Sequence, residues 1–498
     1  MGKRFVDAGY TVPKALLEVR GKPIIEHVMD MFPGETDIHC ICNSVHLATT
    51  NMGAILTARG ATIHEITPHS LGPVYAISQI FDVIKDDEEV IVSYCDYGSD
   101  WDYAAFRRMC SKYDGVIIAY KGFHPHMLFG DNYAFLRMAE DGETVTEVRE
   151  KESFTSDKMS EYASNGAYYF RSGAHLKHAF NELMRKGIHK NGEFYVSLAY
   201  NELIGDGKCV GVFEIDRMLQ WGTPRDVEVY KMWESHFTHT PKPCASRATL
   251  VLPMAGAGSR FRMVGYSDPK PLLPVKGTPM IVQAVSNLPT CEKKIFITLQ
   301  EHMEHYDLAG ALSSKFPECE IMTIPGVTEG QACTSAIAVQ RLPADTPVLI
   351  SACDNGVDFD ADAYLALEND PTVDVIVWSF DNNPTSKLYP HMYAWLDVDS
   401  ENNVRHVSVK RHFEGARQAI IGTMFFRTAA LYQEGYQIIR ERNIRTNGEF
   451  YVDDLLNPLI EKGCRVKSFP VKNYICWGTP NDYRTYQYWC EHFKSARV

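Results

Sequence analysis

Short runs of apolar residues alternate along the chain with stretches of mixed polarity that have helical spacing. In the second half of the chain, these runs predict buried strands and the stretches between them predict helices. The predicted strands are residues 248–254, 294–299, 347–353 and 375–380, and the predicted helices are residues 280–288 and 334–341. Such alternation is typical of an α/β protein with a mainly parallel sheet, in which ligands bind beyond the carboxyl ends of the strands.

Four blocks of sequence occur twice in the same order, so the chain is a tandem repeat. GKRFVDAGYTVPKALLEVRGKPII at residues 2–25 matches GSRFRMVGYSDPKPLLPVKGTPMI at residues 258–281 without a gap. The other blocks are VSYCDYGSDWD with ISACDNGVDFD (from 92 and 350), NGEFYV twice (from 191 and 447), and WGTPRDVEVYKMWESHF with WGTPNDYRTYQYWCEHF (from 221 and 477). We therefore predict two copies of one domain, 1–237 and 248–498, separated by the proline-containing segment THTPKPCASR.

The two copies differ where they begin. The second copy opens with a strand-like segment, ATLVLPMAGA, whereas the first copy starts past the point where that strand belongs. The first strand of a doubly wound sheet is usually central, so a copy without it leaves two strand edges unpaired. We expect the first copy to lack its first strand, either because the natural chain starts further upstream or because the copy has degenerated.

Composition excludes several classes of protein. The 498 residues carry 50 Lys and Arg against 63 Asp and Glu, and the formal charge of −13 argues against nucleic acid or a membrane as a partner. No apolar run approaches the roughly 20 residues that a membrane helix needs, and the N-terminus has no apolar signal core. The 13 cysteines stand mostly alone in apolar segments, as reduced thiols do. We expect a cytoplasmic protein.

A segment of small residues follows the first predicted strand of the second copy. Its backbone amides can approach a phosphate closely, and Arg260 and Lys270 supply cations just beyond it. Asp354 follows another predicted strand, where a carboxylate suits Mg²⁺, a helix N-cap being the alternative. The pattern predicts a site for a phosphorylated ligand.

These motifs resemble the sugar-1-phosphate nucleotidylyltransferase family, also called nucleoside-diphosphate-sugar pyrophosphorylases. The resemblance rests on GSRF, PKPLLPVKGTPMI and the closing WGTP-x-D, and it covers nearly the whole chain. It implies two tandem glycosyltransferase-A-like Rossmann domains with mixed, mainly parallel sheets and Mg²⁺ as cofactor. The implied reaction transfers NMP from an NTP to a phosphorylated sugar or similar small metabolite with release of pyrophosphate, and surface-polysaccharide precursor synthesis is the expected setting.

The resemblance also implies roles for individual residues of the second copy. Arg260 and Lys270 match residues that bind the triphosphate, Asp354 matches the metal-binding aspartate, and Lys410 matches the lysine that reaches the acceptor phosphate. The implied nucleotide-binding residues are Met254, Ala255, Gly256, Ala257, Gly258, Ser259, Glu329, Gly330 and Gln331. An ordinary turn is the alternative for residues 329–331, and a solvated surface lysine is the alternative for Lys410.

The first copy carries equivalents of the charged residues. They are Arg4, Lys14 and Lys151, with Asp96 as the metal ligand. Its counterpart of residues 329–331 is the 71–73 segment, Leu-Gly-Pro, in which proline removes a backbone donor and the glutamine amide is absent. The two copies therefore need not share a base preference.

The closing motif departs from the family pattern. Many members have an aspartate two residues before the glycine of G-T-P, where this chain has Gln220 and Cys476. Either Glu449 or Asp358 takes that place, or Asp354 and the phosphates hold the metal alone. Pro-His-Met and NGEFYV recur in both copies, and they are either acceptor-pocket elements or packing elements kept by duplication.

Two other functions are alternatives. A glycosyltransferase that consumes a nucleotide sugar would share the fold, but it has no need of a triphosphate-binding loop. A non-catalytic, regulatory first copy is the second alternative. The expected partners are an NTP and a phosphorylated acceptor, without nucleic acid or membrane, and both a homo-oligomer and an internal pseudo-dimer stay open.

Overall fold

The chain folds into two compact units, Met1–Lys231 and Met232–Val498, which we call the first and second unit. The structure, a computed structural model, describes residues 3–381, 383, 386 and 389–495. The units divide at Lys231, inside a helix, whereas the sequence predicts a boundary at residues 238–247; the sequence-based bounds stay a prediction. Among the described residues, no helix is long and apolar enough to cross a membrane.

The elements of the first unit alternate between short strands and helices. Its strands are β1 (Glu18–Val19), β2 (Lys22–Pro23), β3 (His39–Asn43), β4 (Thr62–Ile66), β5 (Val90–Ser93), β6 (Tyr97–Asp100), β7 (Gly115–Tyr120), β8 (Ala134–Met138), β9 (Val145–Glu150), β10 (Tyr162–Phe170), β11 (Val210–Glu214) and β12 (Arg217–Gln220). Its helices are α1 (Lys3–Asp7), α2 (Ile24–Asp30), α3 (Ser44–Thr49), α4 (Met52–Ala58), α5 (Pro73–Ser78), α6 (Tyr103–Cys110), α7 (Gly173–Arg185), α8 (Val196–Gly205) and α9 (Pro224–Thr238), whose last residues belong to the second unit.

The second unit repeats this order and adds strands at its beginning. Its strands are β13 (Ala245–Ser246), β14 (Thr249–Pro253), β15 (Pro274–Val275), β16 (Thr278–Pro279), β17 (Thr290–Cys291), β18 (Lys294–Leu299), β19 (Glu320–Ile324), β20 (Val348–Ile350), β21 (Asn355–Asp358), β22 (Val375–Asp381), β23 (Ala394–Val398), β24 (Val404–Val409), β25 (Gln418–Phe426), β26 (Val466–Pro470) and β27 (Asn473–Cys476). Its helices are α10 (Ser259–Met263), α11 (Met280–Ser286), α12 (Gln300–His305), α13 (Leu308–Ser313), α14 (Gln331–Val339), α15 (Ala361–Asn369), α16 (Ala429–Glu441), α17 (Leu456–Glu461) and α18 (Pro480–Ser495).

The main sheet of the second unit runs in the order β19-β18-β14-β20-β25-β22-β26, with β23 paired to β25 and β24 paired to β23. The first four strands are parallel, and β25 is antiparallel to both of its neighbours along the sheet. Along β14, Val251 enters the core on one face, and Leu250 and Leu252 enter the core on the other. The sheet is therefore covered on both faces, which explains the continuous apolar runs in the sequence.

The first unit has a divided sheet. Strands β11, β7, β10, β8 and β9 form one sheet in that order, with β5 paired to β10, and the parallel pair β3 and β4 forms a separate sheet. Both units thus combine helices with mixed sheets, and the expected α/β fold class is confirmed.

Candidate functional site

A lysine and an aspartate predicted from the sequence contact each other in each unit. Lys270 donates a hydrogen bond to Asp354, and Lys14 Nζ lies 2.6 Å from Asp96 Oδ2. Burial alone would lower the pKa of Lys270, but the charge of Asp354 and its hydrogen bond together raise it. Asp96 raises the pKa of Lys14 in the same way. Both pairs are therefore ionic, with each carboxylate partly neutralised by a lysine.

The closing WGTP motif packs directly against this aspartate. The Trp477 amide donates to the Asp354 carbonyl at 2.8 Å, and a Cβ added to Gly478 would lie only 3.2 Å from Asp354 Oδ2. The first unit repeats both features with Trp221, Gly222 and Asp96, at 3.1 Å and 3.0 Å. Glycine leaves room for the close approach of its backbone to the carboxylate in both copies.

A second carboxylate near Asp354 comes from the last residue of the WGTP-x-D motif, which the sequence analysis did not single out. Asp482 accepts hydrogen bonds from Thr479 Oγ1 (2.6 Å) and Cys476 Sγ (3.4 Å). Burial raises the pKa of Asp482, and the negative charge of Asp354 raises it further. The repeated aspartate of the motif, Asp226 in the first copy, was the available signal.

One proposed substitute for the missing aspartate, Asp358, is hydrogen-bonded to other residues. Asp358 is buried, accepts from Asn473 Nδ2 at 3.0 Å, and has its Oδ2 2.8 Å from His236 Nδ1. It is the last residue of β21, which begins one residue after Asp354. Its carboxylate is thus engaged by Asn473 and His236, and the role of Asp358 in a metal site stays a prediction.

The remaining metal ligands stay a prediction. Among the described residues, no group of three or more His, Cys, Asp or Glu side chains is arranged to hold a metal ion. The Asp354 carboxylate is 26% exposed, and its oxygen is of the type that Mg²⁺ prefers. Asp354 therefore fits a divalent cation whose other ligands come from phosphate and water, whereas Asp482 Oδ2 is held by Thr479 and Cys476.

Lys410 lies in the same electrostatic environment as the lysine–aspartate pair. It follows β24 with a φ of 57°, donates to the Met392 carbonyl, and has its Nζ 5.3 Å from the centre of the Tyr451 ring. Burial lowers the pKa of Lys410 and the Arg260 charge lowers it further, against the charges of Asp453, Asp354 and Glu449, which raise it. The structure thus brings together four predicted residues of the second copy, namely Arg260, Lys270, Asp354 and Lys410.

The first unit assembles a similar cluster. Lys151 has a φ of 56°, and its Nζ lies 4.3 Å from the centre of the Tyr195 ring. Tyr195 in turn donates a hydrogen bond to Glu193, whose charge contributes to the raised pKa of Lys14. Burial raises the pKa of Tyr195, and the positive charge of Arg4 opposes that rise. The four predicted residues of the first copy, Arg4, Lys14, Asp96 and Lys151, therefore also lie around one site.

The segment of small residues follows β14, as the sequence predicts. Met254 and Ala255 are buried, and the Met254 amide donates to the Ile297 carbonyl at 2.9 Å, while Gly256 and Ala257 are exposed. Gly258, with a φ of 62°, precedes α10, which begins at Ser259 and has only five residues. The segment is therefore anchored at one end and open in the middle.

The loop at residues 329–331 is held by the NGEFYV motif. Gly330 has a φ of 137°, and a Cβ there would lie 2.5 Å from the Phe450 carbonyl oxygen. The Phe450 amide donates to the Glu329 carbonyl at 2.9 Å, and the Ala332 amide donates to the Phe450 carbonyl at 3.0 Å. The side chain of Glu329 bonds to Arg440 and Arg445, which lower its pKa, while Gln331 starts α14. Only glycine fits between these two backbones.

The first two residues of NGEFYV form a tight turn. Asn447 and Gly448 have φ values of 50° and 84°, and Thr446 and Glu449 exchange two backbone hydrogen bonds of 3.0 Å around them. This geometry explains the Asn-Gly sequence as a hairpin turn. Asn191 and Gly192 also have positive φ values, so the packing interpretation accounts for this part of the motif in both units.

Two family models match the chain, one in each unit. A model described as "Nucleotidyl transferase" matches residues 1–197, and a model described as "MobA-like NTP transferase domain" matches residues 250–412. No curated protein matches the chain.

Solved structures with similarity to the chain include three bacterial proteins. A nucleoside-diphosphate-sugar pyrophosphorylase from Vibrio cholerae RC9 is 20% identical, with 48% of this chain and 99% of that chain covered and a TM-score of 0.39. An inositol-1-phosphate CTP transferase from T. maritima is 16% identical, with 50% and 97% covered and a TM-score of 0.40. A putative glucose-1-phosphate thymidylyltransferase from Bacillus anthracis is 17% identical, with 48% and 93% covered and a TM-score of 0.39.

Proposed function

Because the chain carries two nucleotidyl transferase domains in tandem, we propose that it transfers a nucleoside monophosphate from an NTP to a phosphorylated sugar or similar small metabolite. Pyrophosphate is the second product. The proposed setting is the synthesis of an activated precursor of surface polysaccharide in the cytoplasm.

The observation that carries this proposal is the cluster of Arg260, Lys270, Asp354 and Lys410 beside the open segment after β14. Two polyanions must meet in such a reaction, and three cations around one carboxylate suit that requirement. Lys270 and Arg260 bind the triphosphate, and the amides of residues 256–259 approach its oxygens. Lys410, close enough to Arg260 for their charges to interact, binds the acceptor phosphate.

The reaction is an in-line displacement. An oxygen of the acceptor phosphate forms a bond to the α-phosphorus, and the bond from that phosphorus to the bridging oxygen of pyrophosphate breaks, so that pyrophosphate leaves with the electron pair. Asp354, with Asp482 behind it, would hold Mg²⁺, which when bound neutralises charge on the phosphates. The chain's own cations orient the two phosphates and offset their repulsion.

A pyrophosphate-release assay tests the proposal. Full-length protein is mixed with Mg²⁺, each of the four common NTPs, and a panel of sugar, polyol and amino-alcohol phosphates. Release with one base and one acceptor supports the proposal and names both substrates. Hydrolysis of a nucleotide sugar, or sugar transfer from it, without release from any NTP would instead favour the glycosyltransferase alternative.

Arg260→Ala sharpens the test, with Arg405→Ala as the matched control. Arg260 is exposed beside the open segment, and Arg405 is an exposed arginine on β24, the strand that leads to Lys410. We expect at least about a 100-fold loss of kcat/KM for Arg260→Ala and less than about a twofold change for Arg405→Ala. Wild-type turnover of Arg260→Ala would exclude the assigned triphosphate site.

A further inference from the structure

The strands that precede Lys151 and Lys410 can be matched residue by residue between the two units. Asn201 makes two hydrogen bonds of 2.9 Å to the backbone of Val148, and Asn457 makes two of 2.9 and 2.8 Å to the backbone of Val407. The lysines that follow, Lys151 and Lys410, share positive φ values of 56° and 57°. The residue directly before each lysine therefore occupies the same position, and this residue is Glu150 in β9 and Val409 in β24.

A second position beside the lysine can be matched in the same way. Tyr195 and Tyr451 each present a ring to the ammonium group of the lysine, with Nζ 4.3 and 5.3 Å from the ring centre. Two residues further along the chain stand Ser197 at the start of α8 and Asp453 in the 3₁₀ helix Val452–Leu455. These two residues are also equivalent in the NGEFYV-x alignment of the two copies.

Of these two matched positions, a different one carries the carboxyl group in each unit. In the first unit it belongs to the strand, because Glu150 Oε2 accepts a 2.7 Å hydrogen bond from Ser197 Oγ and both residues are buried. In the second unit the strand residue is Val409, and the carboxyl belongs to Asp453. Each unit thus has one carboxyl and one uncharged residue at these two positions, with their places exchanged.

The charges around each lysine agree with this exchange. Burial raises the pKa of Glu150, and the neighbouring Lys151 opposes the rise, as does Lys190, while Glu193 adds to it. Burial likewise raises the pKa of Asp453 to about 6, against the charge of Lys410. The other charged groups that act on Lys410 are Arg260, Asp354 and Glu449.

We propose that Asp453 is a positioning residue for the acceptor phosphate: it orients Lys410 and stabilises its positive charge, in the place that Glu150 takes beside Lys151. This inference rests on the proposed function, since Lys410 binds the acceptor only if the chain is a nucleotidylyltransferase. The physical reason is that Lys410 is partly buried and lies near Arg260, so that without a close counter-charge the ammonium is unfavourable. The exchange also leaves an apolar Val409, which packs against the hydrophobic core, where the first unit has the carboxyl group of Glu150.

The test exchanges the two residues in the full-length chain. Asp453→Ser alone should raise the KM for the acceptor phosphate about tenfold, with kcat and the KM for NTP changed less than about twofold. The double variant Asp453→Ser with Val409→Glu recreates the arrangement of the first unit, and it should return the acceptor KM to within about threefold of wild type. Asp453→Asn keeps the shape without the charge and should behave like Asp453→Ser.

Three outcomes would overturn the proposal. The first is an unchanged acceptor KM in Asp453→Ser and Asp453→Asn. The second is a double variant no better than Asp453→Ser although its thermal midpoint equals that of wild type. The third is a fall of kcat with a rise of both KM values, without rescue, which would mean that Asp453 is only structural.

A second measurement needs no turnover and separates this proposal from the proposed function. Competitive acetylation with acetic anhydride, read by mass spectrometry at several pH values, reports the apparent pKa of Lys410 in the whole protein, with the exposed Lys315 as an internal control. Asp453→Ser should lower that pKa and the double variant should restore it. Restoration without any pyrophosphate release in the substrate screen would reject the proposed function but keep the Lys410–Asp453 relation. An unchanged pKa in an active enzyme would reject the relation alone.

Discussion

The two units differ most at the centre of their sheets. In the second unit, β14 pairs with β18 on one side and β20 on the other, and it ends at the segment of small residues beside Lys270. In the first unit, β3 and β4 form a separate sheet, and the residues of β3 are more exposed than those of β18. The central strand therefore both joins two parts of the sheet and carries the open segment to the site.

The clusters of charged residues are nevertheless alike in the two units. Lys14 contacts Asp96 as Lys270 contacts Asp354, and Trp221 binds the backbone of Asp96 as Trp477 binds that of Asp354. These contacts involve the closing motif and the strand end before the aspartate, and none of them involves β14. The ionic part of the site and the open backbone segment are therefore built by separate elements.

The largest expected effect is a difference in activity loss between variants of the second and the first unit. Asp354→Ala should reduce pyrophosphate release at least about 100-fold, because the variant loses the carboxylate that pairs with Lys270 and fits Mg²⁺. Asp96→Ala should keep more than about half of the activity, because the first unit has Pro73, which lacks an N–H, where the second has Gln331. The comparison requires the steady-state rate of pyrophosphate release for each variant, with circular dichroism spectra as a check on folding. Equal losses in both variants would show that the units act together.

The next largest effect concerns the loop braced by NGEFYV. Gly330→Ala should lower the free energy of unfolding by about 4 kcal/mol, because its φ of 137° is strained for alanine and the new Cβ would clash with Phe450. Gly72→Ala should act in the same direction, since its Cβ would lie 2.8 Å from the Phe194 backbone. Gly256→Ala, with no atom within 4 Å of the added Cβ, is the control for urea denaturation. A Gly330→Ala protein as stable as Gly256→Ala would contradict this close packing.

A pH-dependent effect distinguishes the closing motifs. Burial raises the pKa of Asp226 from 3.8 to about 6, so the folded protein holds a proton between these values that the unfolded chain releases. Stability from this group is therefore present at low pH and is lost as the pH rises from about 4 to about 6. Compared with Asp226→Asn, wild type should lose about 2 kcal/mol between pH 4 and pH 7, measured by urea denaturation.

The matched variant for this pH effect is Asp482→Asn. The thiol of Cys476 donates a hydrogen bond to Asp482 and stabilises its charged form, so we expect a smaller difference from wild type over the same pH range. Stability differences that do not change with pH in either variant would show that both carboxylates stay ionised down to pH 4.

The smallest expected effect tests a feature that the units share. Asn457→Ala and Asn201→Ala should each cost about 2 kcal/mol, because each leaves an amide and a carbonyl of a neighbouring strand without their partner. Asn369→Ala, at the exposed end of α15, should cost less than about 0.5 kcal/mol. Unequal costs for Asn201→Ala and Asn457→Ala would show that the strands before Lys151 and Lys410 are not equivalent, which would weaken the proposed exchange of carboxyls.

The sequence alone predicted local structure well. The predicted strand at 294–299 coincides with β18, and the strand at 248–254 extends one residue beyond β14 at each end. A strand buried on both faces needs a continuous apolar run, and such a run is visible without any knowledge of its partners. The repeat likewise identified Lys14, Asp96, Lys270 and Asp354, since both copies keep these residue types at matching positions.

Only the tertiary structure decided which of these residues meet. Lys270 and Asp354 are 84 residues apart in the chain, and Asp482 reaches the same region from the last helix. Asp358 looked equally available in the sequence, but the strand direction carries it toward His236. The place of the carboxyl beside each lysine was also hidden, because it depends on a contact between a strand and a helix. Spacing along the chain describes neighbours within one element, whereas charge and burial at a site come from elements that only folding brings together.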